Sequence, residues 1–372
     1  MHSRMLTLFA ASVGVALTIA ACGANQESPG GASDSGDKST GGPKVGVILP
    51  ETASSARWEA LDKPMLEEAL RAHGLDPDVQ NAQGDVSKFT TLADGMISQN
   101  VKVLVIASIN SEVGGAVAAK AKARGIPTID YDRLNLGGSS EYYVSFDNVK
   151  VGQLQGEGLA KALEGKPGAQ VIEIEGAPTD NNATLFYEGQ QKVLGPKYAS
   201  GQLKLVQSQK IEDWDNQKGG TTFEQILTGN GGKVDGVVAT NDGLAGAVIT
   251  VLRKNGLNGR VPVTGQDATG DGLKAILRGD QHMSVFKPIK EEAEAAAELA
   301  AALAKGDKAA ADALATAVSK DPKGKRDVKS VLLEPRMTTK ETIKKVVELG
   351  YAEASDLCTG DLANACKEAG IS

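Results

Sequence analysis

From Lys44 onward, short apolar runs bounded by turn residues alternate with stretches whose apolar residues recur at helical spacing. This alternation restricts the architecture more than any other feature, because strands separated by helices pair in parallel and form a sheet covered on both faces. The first cycle reads Val45–Leu49, Asp78–Ala82, Val101–Ala107 and Thr128–Tyr131 as strands. Between them lie predicted helices over Trp58–His73, Phe89–Gln99 and Val113–Arg124, the last ended by Gly125 before Pro127. The pattern then restarts, with strands at Val171–Ile174, Leu203–Gln207, Val234–Thr240 and Val261–Thr264. Helices are predicted over Ala183–Leu194, Asn216–Leu227, Gly243–Asn255 and Gly270–Leu277. A chain of 372 residues exceeds what one core usually spans, so the expected fold is α/β, with two doubly wound parallel-sheet lobes.

Three elements are left over: a strand at Met283–Phe286, an Ala/Glu-rich helix at Glu291–Lys305 and a strand at Val328–Leu333. If the first closes the second cycle, the helix packs back on the first lobe and the last strand returns to the second. The lobes are then expected to comprise 44–146 with 288–326, and 147–287 with 327–372. Their three-crossover hinge would lie near Phe146, Lys287 and Asp327.

The N-terminus reads differently. Arg4 precedes an uncharged apolar run, Leu6–Ala21, which is short for a membrane span and is expected to be a secretory signal over residues 1–21. It ends in Ile19-Ala20-Ala21-Cys22, which resembles the bacterial lipobox, so Cys22 is the expected lipidation site. Residues 22–43 contain mostly Gly, Ser, Asp and Pro, a composition that cannot offset ordering entropy and reads as a flexible tether. The expected location is therefore extracytoplasmic, lipid-anchored to the outer face of the cell membrane. With Cys22 acylated, Cys358 and Cys366 remain, and a local disulfide is the favoured reading outside the reducing cytosol. A metal site is the poorer alternative, since no CxxC occurs. The net charge of −7, without a long basic stretch, argues against nucleic acid as a partner.

Phosphate-binding, nucleophile-elbow, zincin and dinucleotide motifs are all missing. Asp267–Gly272 resembles a calcium loop for six residues, but Arg278 stands where a bidentate acid is needed. No catalytic residue, cofactor or metal is expected. Polar residues instead collect at the C-terminal ends of predicted strands, where an open α/β sheet presents its ligand crevice. They include Arg57 and Trp58, Asp132 and Arg133, Asp147 and Asn148, Asn182, Asn241, Gln266 and Asp267, and Lys287. Asn148 and Asn182 also suit helix caps. Planar Asn, Asp and Arg groups make the paired hydrogen bonds that sugar hydroxyls accept and donate, and an aromatic ring suits the sugar's C–H faces. The chain is only 4% aromatic, and its two tryptophans, Trp58 and Trp214, are both flanked by charges, so both are expected to line the site.

These residues identify a resemblance. ARWE, YDR, SFDN with VGQLQG, DNNA with LF, ATND, GQDA and VFKPI occur in the order and spacing of the sugar-binding lipoproteins and periplasmic proteins that feed ABC importers. The similarity spans Lys44 to Pro335 and is greatest to the D-xylose-binding members. It implies a type I periplasmic binding fold that holds a monosaccharide, with D-xylose favoured, and delivers it to an ABC permease and its ATPase. Arg57, Trp58, Asp132 and Arg133 would come from the first lobe, and Asn182, Trp214, Asn241, Asp267 and Lys287 from the second lobe or hinge. A monomer is expected. Lys287 stands where ribose binders usually carry a neutral amide, which favours a xylose-type pocket. The sequence departs from the family pattern between Pro50 and Ala56 and after Pro335. Alternatives are a receptor of the same fold for ribose, glucose, galactose or a non-sugar signal, and a carbohydrate enzyme with paired carboxylates. A sugar-responsive repressor would need a helix-turn-helix ahead of the fold, where this chain has its signal and tether.

Overall fold

The computed structural model describes residues 41–371. The expected signal, Cys22 and nearly all of the expected tether lie outside the described residues. No helix among the described residues is long and apolar enough to cross a membrane.

The first lobe begins with β1 (Lys44–Leu49), α1 (Lys63–Ala72), β2 (Asp76–Asn81), α2 (Val86–Ser98), β3 (Val103–Ile106), α3 (Ser111–Ala123), β4 (Thr128–Tyr131) and β5 (Tyr142–Phe146). β1, β3, β4 and β5 are mostly buried, as strands covered on both faces must be, while β2 at the sheet edge is only partly so. A five-residue π-helical turn, Trp58–Asp62, precedes α1. Pro64 explains it: a proline nitrogen cannot donate to the Ala60 carbonyl, so the turn widens and Lys63 N–H donates to Trp58 O instead.

The chain then crosses into the second lobe. There it forms α4 (Asn148–Ala162), β6 (Ala169–Glu175), α5 (Asn181–Ala199), β7 (Leu203–Lys210), α6 (Asn216–Gly229), β8 (Gly236–Ala239), α7 (Asp242–Lys254), α8 (Gly270–Arg278) and β9 (Ser284–Phe286). Its central sheet runs β7-β6-β8, all parallel. The predicted strand at Val261–Thr264 is reduced to one bridge, Val263 with Val237, and Thr264 Oγ1 bonds both N and O of Ala239 across the gap.

After β9 the chain returns to the first lobe as α9 (Ile289–Ala304), α10 (Lys308–Leu314), β10 (Ala317–Asp321) and β11 (Arg326–Leu333). The first-lobe sheet is ordered β10-β11-β5-β4-β3-β1-β2, parallel except for the β10–β11 hairpin. Its core lies between the sheet and α1 and α9 on one face, and α2 and α3 on the other.

The expected third crossing near Asp327 is corrected. Residues 327–333 belong to the first lobe, because β11 pairs along β5 from Lys329 with Tyr142 to Leu333 with Phe146. The physical cause is β10, whose polar sequence AVSKD gave no signal. A strand that follows it through a short turn must pair antiparallel beside it. The chain crosses at Glu334–Pro335 and reaches β12 (Arg336–Thr338), which pairs with β9 in the second lobe.

The tail forms α11 (Lys344–Glu348), α12 (Ala354–Leu357) and α13 (Ala363–Glu368). Ile343, Val346, Leu357, Leu362 and Ile371 bury against Leu273, Ile276 and Leu277 of α8 and against Phe286. Cys358 and Cys366 are joined in a disulfide, with Cα atoms 5.7 Å apart.

Candidate functional site

A narrow cavity lies between the lobes, at the C-terminal ends of the strands. All nine residues expected at the ligand site line it: Arg57, Trp58, Asp132, Arg133, Asn182, Trp214, Asn241, Asp267 and Lys287. The π turn carries Arg57 and Trp58 into the cleft, and both are buried.

Arg57 is bonded almost entirely to protein. Its Nε and Nη2 grip Asp62 at 2.7 and 2.6 Å, Nη2 also reaches Glu292 at 3.1 Å, and Nη1 donates to Asp132 at 2.8 Å. It therefore spends most of its donors on Asp62 and Glu292 and positions Asp132 with one. Asp132 faces Lys287 Nζ at 3.4 Å, and Lys287 Nζ lies 3.2 Å from Asp267 Oδ1. Burial alone would raise the Asp132 carboxyl, but Lys287, Arg57 and Arg133 outweigh it and hold the group below the usual carboxylate range. The floor of the site is thus an alternating array of fixed charges with little exposure to water.

Arg133 donates from Nη1 to Ser108 O at 3.0 Å, and its Nε lies 3.2 Å from Asp180. The guanidinium carbons of Arg57 and Arg133 sit 4.5 and 5.2 Å from the Trp58 ring centroid, so both cations meet the indole π system. On the other side, Trp214 donates from Nε1 to Asp180 at 3.1 Å and meets Phe186 edge-on. Gly176 seats this indole, since a Cβ there would lie 2.1 Å from the ring. Trp214 itself has φ +54°, Asp132 +59° and Asp267 +95°. Left-handed backbone at an aromatic and two acidic residues costs energy and is concentrated here, where it aims the side chains.

The amides have a second task. Asn241 Oδ1 caps α7 by accepting from Leu244 N at 2.9 Å, and its Nδ2 donates across the cleft to Ser54 O at 3.3 Å. Asn182 Nδ2 donates to the backbone and side chain of Asp132, and its Oδ1 accepts from Asn148 Nδ2 at 2.9 Å. The helix caps fall one or two residues earlier, on Asp147 and Asp180. These asparagines therefore line the cavity while joining the lobes.

Ser54, Ser55, Asp180 and Phe186 also line the cavity and were missed, and Gln266 was noted at a strand end without being assigned. Phe186 is one turn beyond Asn182 on α5, and helical spacing could have found it. Asp180 was hidden behind its capping role. Ser54 and Ser55 lie in a loop without periodicity.

Trp58 Nε1 and Gln266 Oε1 are buried without a hydrogen-bond partner. One is a donor and the other an acceptor, and a hydroxyl, which does both, satisfies such a pair.

The family model for the periplasmic binding protein domain matches residues 45–308. The chain belongs to this family. Similar periplasmic binding proteins include the D-xylose-binding periplasmic protein of Haemophilus influenzae, 39% identical over 82% of this chain and 88% of that one. The D-xylose-binding periplasmic protein of Escherichia coli is 36% identical over 84% of this chain and 92% of its own length. Among solved structures, an ABC transporter solute-binding protein from Clostridium phytofermentans with bound β-D-glucose superposes with a TM-score of 0.77. It is 32% identical, and the match covers 84% of this chain and 99% of that one. The fold is thus that of the type I periplasmic binding proteins, as the resemblance implied.

Proposed function

We propose that this protein captures a monosaccharide, D-xylose by preference, between its lobes and delivers it to an ABC importer. It is a solute-binding protein and not an enzyme, and it works outside the cytoplasm. The observation that carries the reading is the cavity itself. Residues of both lobes wall it, so a small solute held there is gripped from two sides and shielded from water, as a single sugar ring requires. Its lining combines two tryptophans with Asp132, Asp267, Arg133 and Lys287, the mixture that a ring with hydroxyl edges and C–H faces needs. Both D-xylose-binding relatives support the sugar class. An anchor at Cys22, which Cys22→Ser would release into the medium, would keep the protein beside its permease.

D-glucose is the second reading, because the solved relative from Clostridium phytofermentans holds β-D-glucose. Glucose is xylose with an added CH2OH, and one carbon in a tight pocket is worth roughly 10–200-fold. Isothermal titration of the mature protein with D-xylose, D-ribose, D-glucose and D-galactose is the test. Xylose is expected to bind at least tenfold more tightly than glucose. Equal or tighter glucose binding overturns the pentose preference, and failure of every sugar overturns the class.

A further inference from the structure

The segment after β1 reaches across the cleft in front of the cavity. Asn216 Nδ2, at the start of α6, donates to Ala53 O at 3.3 Å, and Asn241 Nδ2 donates to Ser54 O at 3.3 Å. Ser55 Oγ donates to Asp267 Oδ2 at 3.0 Å. Glu51 braces the segment from behind, accepting from Ser54 N at 2.8 Å and from the Ser54 hydroxyl. Two of the three bridging acceptors are backbone carbonyls of the segment, so those two contacts depend on how closely the chains approach and not on the segment's side chains.

That approach requires a gap in α7. Gly243, the second residue of α7, faces Ser54 O, and a Cβ at this position would lie 2.8 Å from that oxygen and 2.6 Å from Asn216 Oδ1. Its φ is not in the left-handed region, so the backbone does not demand glycine. Glycine also disfavours the helix relative to alanine. Clearance is the remaining reason for it: the Asn216 amide of its own lobe is a side chain that can rotate away, but Ser54 O of the opposite lobe, being backbone, cannot.

We propose that Ala53–Ser55 is a latch and Gly243 its seat, so that the closed state is held partly by protein contacts of Gly243 and Asn216, neither of which lines the cavity. The inference rests on the sugar-capture reading. If only the closed state grips sugar, apparent affinity scales with the fraction of protein that can close. Gly243 and Asn216 are then positioning residues for affinity.

The test compares wild type, Gly243→Ala and Asn216→Ala with D-xylose by stopped-flow fluorescence and titration, and by small-angle scattering with and without sugar. Gly243→Ala is expected to weaken binding tenfold or more through faster dissociation, with thermal unfolding of the sugar-free protein unchanged or raised. Asn216→Ala should accelerate dissociation several-fold at an unchanged association rate. Wild-type affinity and dissociation in Gly243→Ala overturn the latch, as does a loss of apo stability that accounts for the weakened binding. If no sugar in the panel binds wild type, the sugar reading falls separately. The latch is then judged by scattering of the sugar-free proteins: a larger radius for Gly243→Ala supports it, and equal radii overturn it.

Discussion

Arg57 and Arg133 both stood out as charged residues at strand or helix ends, yet their surroundings assign them different work. Arg57 is the counter-charge of Asp62, Asp132 and Glu292, all buried. Burial, with Asp132 close by, pushes the Glu292 carboxyl well above its ordinary range despite the arginine beside it, so the charges that Arg57 chiefly balances are those of Asp62 and Asp132. Breaking a buried pair by removing one partner costs about 3–5 kcal/mol. Arg57→Ala is therefore expected to lower the unfolding free energy of the sugar-free protein by that amount, seen as an earlier denaturant midpoint. Arg133 leaves less behind, because Asp180 still accepts from Trp214 Nε1 and Asn182 N. Arg133→Ala should keep the unfolding midpoint close to wild type while affinity falls roughly ten- to a hundredfold, as expected for the loss of a charged hydrogen bond. Unfolding curves and titrations on both variants check the contrast, and equal loss of stability in the two would contradict it. Residue type and strand-end position were legible in the sequence; which arginine is spent on protein was not, because Glu292 lies 235 positions from Arg57.

Among the elements, the tail was least legible. Its helices are four to six residues long, too short for a periodic signal, and they are stable only against α8. The disulfide closes a small loop within this unit, and the loop-entropy model gives roughly 2–3 kcal/mol for one of its size. Cys358→Ser with Cys366→Ala is expected to loosen α12 and α13 first, seen as faster proteolysis after residue 339 and lost amide protection in α8. The first-lobe sheet should stay protected, since no tail residue enters its core. Uniform loss of protection across both lobes would show instead that the tail supports the whole molecule. Tyr351 bonds from this unit toward the returning helix, accepting from Lys290 N at 2.9 Å near the start of α9. Pro288, the N-cap residue, makes no side-chain cap bond there.

At the scale of the whole molecule, buried acids tie stability to pH. Burial, with Glu173 close by, pushes Glu175 up to about 8, and burial raises Asp242 to about 7 and Asp130 to about 6. Unfolded, each titrates near ~4, so the folded state holds extra protons between that value and the raised one. Their contribution is fully present below ~4 and is lost as pH rises through about 6, 7 and 8 in turn. Asp132 has the opposite sign: its stabilisation is present above the ordinary carboxylate range and is lost only as pH falls through its depressed value. Thermal midpoints of the sugar-free protein should therefore fall from about pH 5 to pH 8.5, a window in which these three groups titrate and to which the raised Glu292, Glu173 and Asp180 add in the same direction. Glu175→Gln keeps an acceptor for Thr240 and removes the ionisation, so it should flatten the slope above pH 7. Parallel curves for the variant and wild type would rule Glu175 out as a source.

The sequence by itself determined the two α/β cycles, the family and the set of nine residues around the cavity, because each rests on a local signal. Apolar periodicity sets strand or helix, and a polar residue just after a strand necessarily lies at the sheet's C-terminal edge. Only the tertiary structure decided which sheet took Val328–Leu333, since pairing is non-local and the neighbouring β10 has one apolar residue exposed to solvent, Val318. It also decided that Asn182 and Asn241 bridge the lobes while lining the cavity, and that Gly243 faces Ser54 across the cleft. These contacts exist where two separately folded surfaces meet, and no spacing along one chain encodes the distance between them.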